Sequence, residues 1–296
     1  MTTPKKSQTL SIVLATKNEE KNLASCLDSV VDIADQIVIV DEESTDKTVE
    51  IAKKYKALVK ITKHEPIFHL TKQKAIDLAT SDWILQLDAD ERLTPSLHKE
   101  IKLLLSDQYY GFDRWLSPAK STLSRYLPSI FTPAKALLQQ ADAYYLPRKN
   151  FFLTKFLSQT GQYPDPVIRL FRRGKAHLPA QDVHEQMVVE GVIGWMTADL
   201  EHNASPDFHR YLDRENRYSS LHAVQLSQAG VRVNVPNTIK YLFVLPLLTF
   251  IKLYIRYRGF MDGFPGFVFS LYSGFHHAFS YMKLWELKRS KSDTTN

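Results

Sequence analysis

The first ninety residues alternate strand and helix signals at short intervals, and that alternation restricts the architecture more than any other feature. "LSIVLA", "QIVIV", "ALVKIT" and "WILQL" read as strands. Between them, "EEKNLASCLDSVV", "KTVEIAKKY" and "LTKQKAIDLA" read as helices, the first capped by Asn18 and the second by Ser44 or Thr45. A βαβαβαβ order predicts a parallel sheet with right-handed crossovers and helices on both faces. Ligands of such open sheets gather beyond the carboxyl ends of the strands. Three polar clusters fall there: "TKNEE" after the first strand, "DEESTD" after the second and "DADE" after the fourth.

The alternation stops after Thr94-Pro95, an N-cap and first-turn pair for the helix "SLHKEIKLLL". Residues 112–141 read as an insertion, with three prolines and no acid past Asp113. Its apolar residues, Trp115, Leu116 and Phe131 among them, alternate with Lys120, Arg125 and Lys135, the pattern of a basic amphipathic segment or of a helical flap. "AYYLP", "VIRLFRR" and "QMVVEGVIG" then read as strands, with Gly174 and Gly191 at turns, and predict a mixed or antiparallel extension of the sheet.

The last third is rich in aromatics and leucine. "YLFVLPLLTFIKLYIRYRGF" is broken by Pro246 and Lys252, and "GFPGFVFSLYSGFHHAFSYMKLWELKR" by Gly266, Gly274, His276 and His277. A spanning helix needs roughly 20 mainly apolar residues, and neither run is clean, so interfacial or re-entrant helices are the preferred expectation. Short spanning helices and ordinary buried helices stay open. The formal charge of +6 sits here as well: from Val231 onward nine Lys and Arg face three acids, a difference of six, so the first 230 residues are neutral. Nucleic-acid binding is not expected of a charge so divided, whereas contact with an anionic membrane is. One cysteine, Cys26, excludes an internal disulfide framework, and "MTTPKKSQTL" carries no hydrophobic leader. The domains expected are 1–230, with the insertion, and 231–296.

Chemistry concentrates in "DWILQLDADERL", where an apolar strand ends in Asp88, Asp90 and Glu91. Like charges packed this closely require a cation or a set of donors between them. "SIVLATKNEEKNLASCLDSV", "IVIVDEESTDKTVEIA" and "DWILQLDADERL" together resemble the nucleotide-sugar half of glycosyltransferase family 2, the inverting GT-A enzymes. "RKNFFL", "YPDPVIRLFRRGKAHL", "VHEQMVVEGVIG" and the glycine- and aromatic-rich C-terminal run are similar to the branch that includes lipopolysaccharide inner-core β-glucosyltransferases. The resemblance implies an α/β fold: a Rossmann-like GT-A domain with a mixed sheet, followed by a C-terminal helical region that associates with membrane. It implies transfer of a hexose from a nucleotide-diphosphate sugar, a UDP-sugar foremost, to a saccharide or glycolipid acceptor at the cytoplasmic face of the cell membrane.

For the site, the resemblance implies Ala15, Thr16, Asn18, Glu19 and Asp41 around the nucleoside. It implies Asp90 as the direct ligand of Mg²⁺ or Mn²⁺, Asp88 at the ribose or a metal-bound water, and His202 at the place of a third metal ligand. The chemistry agrees, because a divalent cation bridging the diphosphate stabilises the leaving group, and hard cations take oxygen ligands. Asn18 and Ser44 also read simply as helix caps. Glu42 and Glu43 depart from the small residue that usually follows the family's Asp41 position, and Lys72 or Lys74 would offset the added charge by facing phosphate. The base that deprotonates the acceptor hydroxyl is expected in "DVHEQ": Glu185 first and Asp182 second, with His184 orienting. Arg169, Arg172 and Arg173 are candidates to bind phosphate or an anionic acceptor, but Arg169 falls on the strand face opposite Arg172, so they cannot all serve one site. Transfer to a polyprenyl phosphate and a non-catalytic nucleotide-binding scaffold are the alternatives, whereas a nucleotidyltransferase lacks its Gly-rich cradle here.

Overall fold

The computed structural model describes residues 8–65, 67–106, 141–179 and 186–293. The expected insertion at 112–141 lies outside these residues except for Ala141, which is buried. The chain divides into two compact units: residues 1–148 with 164–202, and residues 149–163 with 203–296.

In the first unit, strands β1 (Leu10–Thr16), β2 (Gln36–Asp41), β3 (Leu58–Ile61) and β4 (Trp83–Leu87) alternate with helices α1 (Leu23–Asp28), α2 (Thr48–Lys54) and α3 (Phe68–Asp77). The strands pair in parallel, as the alternation predicts, and their order is β3-β2-β1-β4. Every residue of β1 and β4 is buried, because both faces of the sheet are covered. Leu10, Ile12 and Leu14 join Leu23, Leu27 and Leu97 in one core, while Val13, Val38 and Ile84 join Ala75 and Ile76 of α3 in the other.

Then follow the short strand β5 (Glu91–Leu93), helix α4 (Pro95–Leu105) and the ten-residue β6 (Ala143–Phe152), which runs from the first unit into the second and pairs there with β7 (Lys155–Phe156). Thr94 caps α4 as expected, its hydroxyl accepting from the Leu97 amide. Strand β8 (Asp165–Arg172) is antiparallel to both β4 and β6. Beyond it come β9 (Ala176–His177), β10 (Val188–Val189), β11 (Ile193–Trp195) and β12 (Leu200–Ser205), the last antiparallel to β5. The order of the mixed sheet is β3-β2-β1-β4-β8-β6-β12-β5. Only residues 88–90 separate β4 from β5, yet three other strands lie between them in the sheet. The sheet therefore curls back on itself, and the acids of the "DADE" stretch lie where it closes.

The helix-cap expectations are corrected. Helix α1 starts at Leu23 with Asn22 at its cap position, and α2 starts at Thr48 behind Lys47. Asn18 and Ser44 instead join two loops. Asn18 adopts a left-handed conformation (φ 54°), its amide donates to the Ser44 hydroxyl, and its side-chain oxygen accepts from the Thr45 amide. Each hydrogen bond satisfies a loop backbone group that would otherwise lack a partner.

The second unit holds helices α5 (Phe208–Gln228), α6 (Val235–Arg256) and α7 (Gly263–Asp293). In this unit Ala223 and Leu226 of α5 pack with Tyr241, Tyr281 and Leu284. The expected breakers do not break the helices. Pro246 is buried within α6, which has π-helical turns at Lys240–Val244, just before the proline, and at Ile251–Arg256. Gly274 lets α7 approach α6 closely, for a Cβ there would meet the Pro246 carbonyl oxygen at 2.6 Å. Contrary to the sequence expectation, α6, with 22 residues, is long and apolar enough to cross a membrane by length and composition.

Candidate active site

The carboxyl ends of β1 and β2 carry the residues expected around a nucleoside. Ala15 and Thr16 end β1, and the Thr16 hydroxyl donates to Asp41 Oδ2 at 2.7 Å. Asp41 is fully buried and also accepts from the Ser44 hydroxyl (2.6 Å) and amide (2.8 Å). Its carboxylate thus organises the loop after β2. Glu19 is tied in from the other side, its amide donating to the Thr48 hydroxyl at 2.7 Å. Glu42, the departure noted in the sequence, is buried; its Oε1 accepts from the Thr71 hydroxyl and its Oε2 meets His64 Nδ1 at 2.5 Å. Of the two lysines, Lys74 turns away to Glu65, whereas Lys72 is buried and pairs with Asp88.

At the closure of the sheet, the positive charge that the acid cluster requires is supplied by the chain. Arg169 on β8 places Nη2 at 2.6 Å from Asp88 Oδ2 and 2.8 Å from Glu91 Oε1, with Nη1 on Gln86 Oε1 at 2.5 Å. Lys72 Nζ lies 2.5 Å from Asp88 Oδ1. Arg148 on β6 binds Glu91 at 3.1 Å and Asp165, its register partner on β8, at 2.6 Å. Three cations thus face three carboxylates. Burial works to raise the Asp88 carboxyl, but the charges of Arg169 and Lys72 overcome it and hold the group well below the usual carboxylate range. Burial opposes the charge on Arg169 and on Arg148 in the same way; Asp88 and Glu91 raise the one, and Glu91 raises the other. Behind the loop, the thiol of Cys26 lies 3.6 Å from the Asp88 carbonyl, and burial, followed by the neighbouring acids, pushes it well up. It is not poised as a nucleophile.

Asp90 meets a residue of β12. The antiparallel register of β5 and β12 sets His202 opposite Glu91, and His202 Nε2 comes to 3.5 Å from Asp90 Oδ2. Donors in adjacent positions of a Mg²⁺ shell lie about 3 Å apart, given metal–oxygen distances of roughly 2.0–2.1 Å. The pair therefore fits two ligands of one small cation. Among the described residues no third His, Cys, Asp or Glu completes a metal cluster.

Asp88, Asp90, Lys72 and His202 are thus brought together, with Thr16 and Asp41 in a separate group at the ends of β1 and β2. Glu185, Asp182 and His184 lie outside the described residues. Arg172 stacks over the Trp83 ring at 4.6 Å, on the strand face opposite Arg169, as the spacing requires. Sequence reading missed the parts played by Arg148, Asp165 and Gln86. Arg148 stands beside Lys149 and Asn150 in "AYYLPRKNFF", so no local signal singles it out.

Residues 11–177 match the description "Glycosyl transferase family 2". The chain is 30% identical to "Lipopolysaccharide core biosynthesis glycosyltransferase LpsC" of Rhizobium meliloti (strain 1021), over 88% of this chain and 85% of that one. It is 27% identical to "Uncharacterized glycosyltransferase RP128" of Rickettsia prowazekii, over 94% and 87%. Among solved structures, S. aureus TarS 1-349 in complex with UDP-GlcNAc is similar at a TM-score of 0.41 and 14% identity, covering 97% of this chain and 92% of that one.

Proposed function

Because the chain belongs to glycosyltransferase family 2 and has that family's GT-A fold, we propose that it transfers a hexose from a nucleotide-diphosphate sugar to a saccharide or glycolipid acceptor at a membrane surface. The transfer inverts the anomeric centre and depends on a divalent cation. The observation that carries this reading is the division of labour in the "DADE" loop: Asp88 is neutralised by Lys72 and Arg169, while Asp90 pairs with His202.

Asp90 and His202 would hold Mg²⁺ or Mn²⁺, which when bound supplies the Lewis acidity that stabilises a departing diphosphate. The remaining tasks fall to the chain itself. Arg169 and Lys72 fix the Asp88 carboxylate, so the loop keeps its conformation while substrate enters and product leaves. Asp88 is engaged through both oxygens, and its place in this reading is beside the ribose or a water rather than as a direct ligand. Thr16 and Asp41 shape the wall against which the nucleoside rests. Glu185 accepts the acceptor's proton as its oxygen attacks from the side opposite the diphosphate, and Asp182 stands as second choice on the sequence resemblance.

A UDP-sugar is the proposed donor, and the acceptor is a cell-envelope glycan or its lipid-linked precursor at the cytoplasmic face. The similarity to a lipopolysaccharide-core enzyme supports the envelope assignment. The test is a screen of sugar nucleotides for binding with and without Mg²⁺ or Mn²⁺, followed by hydrolysis of the best one. Glu185→Gln should keep donor affinity and lose turnover. The reading fails if no sugar nucleotide shows metal-dependent binding, or if Asp90→Asn leaves the metal requirement unchanged.

A further inference from the structure

We infer that the second unit carries a docking surface for anionic bilayers, formed by the exposed side of α6, the tight turn at Gly259–Asp262 and the start of α7, and that it lies in the plane of the bilayer surface rather than crossing it. The inference deepens the proposed function only in giving the acceptor's membrane a place to bind; it requires nothing of the catalytic groups.

The surface is apolar where water should favour polar groups. Phe243, Leu247, Phe260 and Phe264 are 65%, 58%, 51% and 73% exposed. The aromatic residues form a connected group: Phe267 contacts Phe250 (ring centroids 5.8 Å), Tyr254 (5.7 Å) and Phe264 (6.4 Å), and Tyr254 contacts Phe260 (6.2 Å). Exposed apolar patches of this kind mark interaction sites.

Charge identifies the occupant. Lys240, Lys252, Arg256 and Arg258 are all exposed. Asp262 is the only acid from Val235 to Trp285, and it is withdrawn from the surface: it is 1% exposed and accepts from the Ser158 amide and hydroxyl and the Gln159 amide. The face is therefore aromatic and cationic with no exposed carboxylate, which is the complement of an anionic lipid headgroup layer above acyl chains. A self-associating protein face would gain nothing from four unopposed cations.

The packing of the unit favours the in-plane arrangement. One side of α6 is occupied within the unit, through buried Tyr241 and Pro246 and the contact of Thr249 with His277 Nε2 at 3.1 Å. Helix α7 packs along α6 and also along α5. Helix α5 carries Arg210, Asp213, Arg214, Glu215 and Arg217 within two turns. Driving α6 through a bilayer would draw these charges toward the hydrocarbon, at a cost that lying flat avoids.

The test is flotation of the full-length protein with vesicles of phosphatidylcholine alone or with ~30% phosphatidylglycerol. The expected result is binding to the anionic vesicles, weakened in about 1 M salt. Lys252→Gln with Arg256→Gln should lower partitioning about 30-fold on anionic vesicles, from roughly fivefold per cation, with little change on neutral ones. Phe260→Ser with Phe264→Ser should lower it by at least about tenfold on both. Thermal unfolding verifies that the variants fold. Overturning results would be no flotation with either vesicle, equal flotation of all variants, or a dimer in solution that Phe260→Ser/Phe264→Ser dissolves without any vesicle binding. A C-terminus digestible only from the far side of sealed vesicles would overturn the in-plane arrangement. Donor hydrolysis without lipid reports separately on the catalytic reading, so either proposal can fail alone.

Discussion

Arg169→Met removes the central cation of the acid cluster while keeping much of the side chain's volume. The guanidinium holds Gln86, Asp88 and Glu91 at 2.5, 2.6 and 2.8 Å, and its side chain is 11% exposed. Without it, three carboxylates face two cations. Glu91, whose side chain is fully buried, keeps only Arg148 from the network at 3.1 Å, and Asp88 keeps Lys72. Breaking a buried pair from one side costs about 3–5 kcal/mol, and the surviving cations place this case near the lower limit, about 3 kcal/mol. In a unit of this size that corresponds to a fall in Tm of roughly 6–12 °C. Urea and thermal unfolding measure it, and the double variant with Asp88→Asn should recover part of the loss. The sign of the pH dependence is determined as well. The folded Asp88 carboxyl titrates below its unfolded value, so its contribution is complete above the unfolded range near pH 4 and is lost as pH falls through the folded value. Removing Arg169 should flatten this acid loss. A cost below about 1 kcal/mol, the level of an exposed ion pair, with an unchanged acid profile, would refute the reasoning.

Asp90→Asn and His202→Ala should each raise the Mn²⁺ concentration needed for half-maximal donor hydrolysis by about tenfold or more, while leaving Tm nearly unchanged. Thr94→Ala deletes the cap of α4 and should cost about 1 kcal/mol in urea unfolding, with donor binding intact. Asp262→Ala removes the buried acceptor of the Ser158 and Gln159 amides and should destabilise by about 1 kcal/mol, which proteolysis of the second unit would report.

Local pattern made much of this legible. The parallel pairing of β1 to β4 follows from the alternation of strand and helix signals, whereas the order β3-β2-β1-β4 is seen only in the fold. The acids after β4 were visible because charge stands out against a buried run, and Thr94 because a cap is a contact between residues three apart. Asn18 and Ser44 were misread for a related reason: a cap and a loop-to-loop bond use the same side-chain atoms, and only the position of the second loop separates them.

What the amino-acid sequence determined by itself was the class of fold, the family and the location of the carboxylates, all of which depend on residues near one another in the chain. Tertiary structure decided which charge answers which. The partners of Asp88 and Glu91 come from α3, β6 and β8, and Asp90 meets His202 only through the register of β5 on β12. Electrostatic pairing falls off over a few ångströms, whereas these residues are separated by up to more than a hundred positions of chain. Such pairing follows from how the sheet curls, and no local pattern records it.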